Sequence, residues 1–378
     1  MELGWIDFSP EDRDKVFDVL DLLSEQGALD ELGISSVRDK FSDRLFPGTS
    51  TVQTRAKYFF IVPYILKDLN LSGESDYGKL KDVMLYNKEK ECARQLLDKD
   101  ATVKGIIGKI NIGEGKDIYR TPSAIYWAGL CRYGIITTGE PLDECLNKIA
   151  EQNKKNESVD FLNISDLYTK GWMNDISMNL TYEEGQFLKK QIISNCEDSL
   201  LAFILKEDLY EVLDCKNFED LKSMKDKFPE KIRNDYCSAL AFSEFIFPLK
   251  VIYNFVVSDG KNEYAKNYLS LYNLKDFTDI DISSIFSTLE IDDEELKIFL
   301  NKSGELMENE DIEGLKDLID SREVHLKGSR AKSLHPGEFD SEKWFAGGLL
   351  DYRFWHAKKI IKDIYESEKL MEIEHVKS

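Results

Sequence analysis

A mainly α-helical protein is the fold class predicted here: a helix-turn-helix or winged-helix-like region with a few short strands in the N-terminal part, then a helical domain. Three observations point there. Apolar residues recur at helical spacing along most of the 378 residues. Helix start signals stand ahead of several of those stretches. Short β-branched runs broken by glycines are confined to residues 101–136.

Taken in order, Ser9-Pro10 followed by "EDRDKVFDVLDLLS" supplies an N-cap, a proline at the first helical position and acids in the first turn, predicting a helix to about Ser24. "SSVRDKFSDRLF", "PGTS" and "TVQTRAKYFFIV" read as helix, turn, helix. Val37, Phe41 and Leu45 form one apolar row, Pro47-Gly48 breaks the chain, and Ser50 can cap the second helix. On that second helix Val52, Ala56, Phe59 and Phe60 are expected inside, Thr51, Thr54, Arg55 and Tyr58 outside, and Pro63 is expected to end it. "VKGIIGKINIG" reads as short strands and "EGK" as a turn. Thr121 and Pro122 open a helix that Gly134 closes, with "IITTG" as a returning strand.

The polar run "AEQNKKNESVD" at 150–160 is the expected border between an N-terminal domain, 1–150, and a C-terminal helical domain, 160–378. Beyond it, Thr181-Tyr182-Glu183-Glu184 is a capping-box pattern. "FIFPLKVIYNFVV" at 245–257 contains Pro248, Lys250 and Asn254, too short and polar a run to span a bilayer, and reads as a buried helix kinked or started at Pro248. Glu244 and Asn254 in that helix would need partners if buried. "NKSGELMENEDIEGLKD" reads as an acidic surface connection.

The formal charge is −21, from 71 acidic and 50 basic residues. Such a field repels DNA, RNA and anionic lipid at long range, so a nucleic-acid contact requires a local basic face. Six cysteines, from Cys92 to Cys237, include no C-x-x-C pair and read as reduced core thiols. The opening "MELGWIDFSPEDRD" lacks a basic region followed by an apolar one, so no secretory signal is expected; with the reduced thiols and the short 245–257 run, a cytoplasmic location without membrane association is expected.

The stretch "IYRTPSAIYWAGLCRYGI", residues 118–135, sets the functional question. Between Ala101 and Ile135 five basic residues face two acidic ones, the reverse of the whole chain. On a helical wheel Ala124, Trp127, Ala128 and Cys131 share a face expected to meet the core, leaving Ile125, Tyr126, Gly129, Arg132 and Tyr133 on the other. Arginine with tyrosine can hold phosphates and stack on bases, or can seal a domain interface. Thr51, Thr54 and Arg55 are residue types a recognition helix places in a major groove, though two helices and a glycine turn occur in any α bundle.

A third basic patch, "SREVHLKGSRAKSLHPGEF", carries Arg322, Lys327, Arg330 and Lys332. His325-Leu326-Lys327 is similar to the start of a phospholipase-D-type site, but Lys332 stands where the following acid should be. His325, His335 and His356 fall within 32 positions without acidic partners at ligand spacing, so no metal and no cofactor are expected. P-loop, G-x-G-x-x-G, H-E-x-x-H and G-x-S-x-G motifs are missing.

"GWIDFS", "LLSEQGALDELGISSVRDKFSDRLFPGTSTVQTRAKYFFIVPYI", the 118–135 helix and "FSEFIFPLKVIYNFVVSD" together resemble a bacterial family known only as a domain of unknown function. The resemblance implies no catalytic residues. It does imply a genetic setting near helicase and phospholipase-D-like genes in mobile or phage-defence regions. The resulting expectation is a non-catalytic, nucleic-acid-associated or assembly component of a bacterial DNA-processing or anti-phage defence system. DNA and helicase- or nuclease-type proteins are its expected partners, and Thr51, Thr54, Arg55, Tyr126, Arg132, Arg330 and Lys332 its expected contacts. A protein–protein adaptor, or a phosphodiesterase using the later histidines, are the alternatives.

Overall fold

The structure, a computed structural model, describes residues 30–164 and 166–377, with side chains as far as Lys369. The helix expected over 9–24 lies outside these residues. In chain order the helices are α1 (Ser35–Leu45), α2 (Tyr58–Leu71), α3 (Tyr86–Lys99), α4 (Lys109–Gly113), α5 (Pro122–Arg132), α6 (Leu142–Lys155), α7 (Tyr182–Asn195), α8 (Leu200–Lys206), α9 (Glu230–Val257), α10 (Glu263–Leu271), α11 (Ile282–Thr288), α12 (Glu294–Glu308), α13 (Ile312–Lys327) and α14 (Phe354–Lys377). The mainly helical class is therefore correct. Among the described residues the only β pairing outside helices is one antiparallel bridge, Ile136 with Leu162.

Two compact units divide the chain. The smaller takes the residues up to Phe41 with Arg233–Leu350, and the larger takes Ser42–Ile232 with the residues from Asp351. These differ from the 1–150 and 160–378 division, and the polar run at 150–160 lies within the larger unit.

At the centre of the larger unit is α2, buried from Tyr58 through Leu66 and again at Leu69 and Asn70. A helix apolar on every side belongs in a core. It packs against α5 and α6. Pro63 lies inside it and does not end it. The hydrogen bond that proline cannot make costs on the order of 3 kcal/mol, which the burial of Phe59, Phe60, Ile61, Ile65 and Leu66 outweighs. In the same unit α7 packs against α8 and α14. Gly185 of α7 leaves room there for Ser367 of α14, and a Cβ at that position would collide with it.

The region expected to be a helix-turn-helix differs in two ways. Twelve residues, 46–57, separate α1 from α2, where such motifs use a turn of about three or four residues. The second helix also begins at Tyr58 instead of near Thr51, so Val52 is exposed and Tyr58 is buried. The expected strands around residue 110 form the short helix α4 instead.

In the smaller unit α9 is the long core helix, and Pro248 lies in its interior. By length and composition α9 could cross a membrane, but 72% of its apolar window is buried inside the protein. Lys250 Nζ donates to the Gly348 carbonyl at 2.6 Å, while Asn254 accepts from the Phe345 N–H at 2.7 Å and donates to its carbonyl at 2.8 Å. These bonds fix residues 345–348 along the helix. Asn254 is buried as expected, whereas Glu244 is only partly so. Nearby, α12 and α13 pack as a pair, with Asp311 capping the second.

Candidate functional site

The segment Thr54–Lys57 is the polar hub of the larger unit. The backbone N–H groups of Thr54, Arg55 and Ala56 all bond to side chains. The Tyr126 hydroxyl accepts from Thr54 N at 2.8 Å and Arg55 N at 3.1 Å, and donates to the Arg55 carbonyl at 2.9 Å. Asp363 on α14 accepts from Ala56 N at 2.7 Å and from Arg55 Nε at 2.9 and 3.0 Å. These acceptors satisfy three N–H groups just ahead of α2 that no helical carbonyl could reach. Burial raises the Asp363 carboxyl above its ordinary range, and Arg55 opposes that rise.

Two residues further on, Lys57 Nζ meets the oxygens of Glu184 at 2.6 and 2.7 Å, and both side chains are buried. Glu184 also receives the Tyr64 hydroxyl at 3.2 Å and the Thr181 N–H at 2.9 Å, the latter closing the capping box read from the sequence. A cleft of about 320 Å³ opens over this pair, bounded by Tyr64, Trp172, Asp166, Asp175 and Glu183. The cations and carboxylates of its floor hold one another, so the hub positions the chain around it.

Thr54 Oγ1 carries that positioning outward, donating to the Gly105 carbonyl at 2.7 Å. Gly105 lies in the loop of residues 101–120, which carries the short helix α4. Ile106, Ile107 and Ile118 are buried, Ile107 N donates to the Tyr58 hydroxyl at 2.8 Å, and Ile118 N donates to that of Tyr86 at 3.0 Å. Gly108 lies directly against Ile118. From this anchored base Tyr119 stands 95% exposed and Ile110 75% exposed. Lys104 and Arg120 are also exposed, and neither has a hydrogen bond or ion pair among the described residues.

The face assignment for α5 holds for exposed Arg132 but fails for Ala124, Ala128, Tyr126, Gly129 and Tyr133, with Ile125, Trp127 and Cys131 half-buried. Tyr126, Gly129, Leu130 and Tyr133 point into the core, while Ala124 and Ala128 are exposed. The reason lies in distant partners. Tyr133 donates to the Pro47 carbonyl at 3.0 Å, and Gly129 lets the Gly48 carbonyl and the Phe59 ring approach. A fully buried Tyr126 presents no ring face to a base.

Of the other expected contacts, Thr51 is exposed in a turn. Arg55 is held by Asp363 and by Asn179 at 3.1 Å, and Arg132 donates to the Asn195 carbonyl at the end of α7 at 2.8 Å. In the smaller unit Lys332 pairs with Glu31 at 2.6 Å. Arg330 is exposed without a partner among the described residues. Arg322 donates to the Leu32 carbonyl at 3.2 Å, and Lys327 pairs with Glu323 at 2.9 Å. Thus Thr54, Arg55 and Tyr126 come together, but as structure. The three histidines have separate partners: Glu295 for His325, Glu338 for His335 and the Gln53 carbonyl for His356. Among the described residues no three metal-ligating side chains converge.

Comparison with family models matches residues 1–281 to the Family of unknown function (DUF6361). The chain belongs to that family. Neither a curated protein nor a solved structure matches it. The DUF6361 match contains the 101–120 loop, Arg55, Lys57, Tyr126 and Glu184, whereas Asp363 lies beyond it.

Sequence reasoning missed Lys57 and Asp363 altogether and took Glu184 only as a capping residue. It counted the charge reversal of 101–135 but assigned it to α5, not to the loop ahead of that helix.

Proposed function

We propose that the chain is a non-catalytic, nucleic-acid-associated or assembly component of a bacterial DNA-processing or anti-phage defence system, working beside helicase- or nuclease-type proteins. One observation carries the nucleic-acid part. In a chain of net charge −21, the 101–120 loop holds Lys104, Lys109, Lys116 and Arg120 against Glu114 and Asp117. It also exposes Tyr119 and Ile110. Local reversal of sign on an acidic surface is what a polyanion contact requires. The system and its protein partners rest on the family resemblance alone.

A helix-turn-helix or winged-helix mode would need α2 to enter a groove, and α2 is buried over most of its length. Contact therefore falls to the loop. Titration of the purified chain with labelled DNA at low and physiological salt tests it. Salt-sensitive binding, weakened in Lys104→Gln/Lys116→Gln, supports the reading, and lack of binding at low salt sinks it.

A second reading, an adaptor that binds only proteins, is favoured by the internal bonding of Arg55, Arg132 and Lys332. It takes first place if the titration is flat.

A further inference from the structure

We infer that Tyr119 and Arg120, with Lys104, form a stacking site for single-stranded nucleic acid. The inference rests on the nucleic-acid reading above and names its ligand class and contact residues.

The Tyr119 ring is 95% exposed. Ile118, one residue before it, and Thr121, two after, are fixed, the first by burial and by the Tyr86 hydroxyl, the second as the N-cap of α5. An aromatic ring held out from an anchored backbone is a platform whose ordering cost on binding is small. Arg120 adjoins it in sequence, and the contact of Gly108 with Ile118 shows the loop folded back on itself at that point, with Lys104 four residues before Gly108 on the same loop.

The chemistry favours unpaired bases. Stacking on tyrosine needs a free base face, which a duplex interior does not offer, while an arginine and a lysine can hold the backbone phosphates. The N-terminus of α5 is not itself an anion site. Ser123 N donates to buried Glu89 at 2.6 Å, and Ala124 N is capped by Thr121. The contact therefore comes from the side chains. Asp117 and Glu114 are held by Lys90 and Lys116, which reduces their repulsion of phosphate. Stacking does not choose between DNA and RNA.

The test is fluorescence anisotropy of the full chain against labelled single-stranded DNA, single-stranded RNA and duplex DNA, each of about twenty nucleotides, at two salt concentrations. Tyr119→Ala should weaken single-strand binding about ten-fold, Tyr119→Phe should preserve it, and Lys104→Gln/Arg120→Gln should flatten the salt dependence. Equal binding of duplex and single strand, or a Tyr119→Ala variant that binds as the parent does, overturns the inference while leaving the broader reading in place. No binding of any nucleic acid at low salt overturns both. Because Tyr119 is exposed, unchanged thermal unfolding of its variants separates lost contact from lost fold.

Discussion

Lys57 and Glu184 form an ion pair inside the larger unit, with Nζ at 2.6 and 2.7 Å from the two carboxylate oxygens and side chains 8% and 4% exposed. Taking two charges out of water is costly, and removing one partner leaves the other buried and uncompensated. Glu184→Ala should destabilise the chain by about 3 to 5 kcal/mol in urea unfolding. The Lys57→Met/Glu184→Leu double variant should recover much of that loss. A single variant as stable as the parent would refute the pair's burial.

Tyr126→Phe deletes one oxygen that three backbone groups share. Leaving Thr54 N and Arg55 N without an acceptor should cost about 1 to 3 kcal/mol. Hydrogen exchange at those two amides should accelerate more than exchange in α6.

The Glu89 carboxyl is raised from an ordinary 4.5 to about 7, chiefly by burial, with the Ser123 N–H opposing. Between these values the folded state keeps a proton that the unfolded state has released, so stability falls as pH rises from about 4.5 to about 7 and then levels off. Glu89→Gln keeps an acceptor for Ser123 and should abolish that slope. At pH 8 it should stabilise the chain by on the order of 2 kcal/mol, as chemical unfolding across the range would show.

Lys250 has the opposite sign. Burial first, then Arg38, lowers its ammonium from 10.5 to about 7, with Asp30 opposing. From about 7 to 10.5 the unfolded state binds the extra proton, so stability rises with pH there. Lys250→Met should flatten the rise and stabilise the chain below pH 7. An unchanged pH profile would contradict the burial.

Local chemistry was legible in the sequence where it acts locally. The Thr181–Glu184 capping box and the Thr121-Pro122 start of α5 both form as read, because each involves partners three residues apart or fewer. The faces of α5 were not legible. Tyrosine can lie inside or outside, and the decision belongs to the backbone of Thr54 and Arg55, some seventy positions away. Arg55 likewise reads as a surface contact until Asp363 is placed beside it. Residues 101–120 are intermediate: their charge was readable, but which aromatic remained in water was not.

The pairing of Arg55 with Asp363 also orders events in time. The two residues are 308 positions apart, and the smaller unit's Arg233–Leu350 segment is translated between them. As the nascent chain leaves the ribosome, Arg55 Nε and the Ala56 N–H lack their Asp363 acceptor until α14 emerges. Completion of the larger unit is therefore a late event of synthesis, and interrupted translation would leave this hub open to chaperones and proteases.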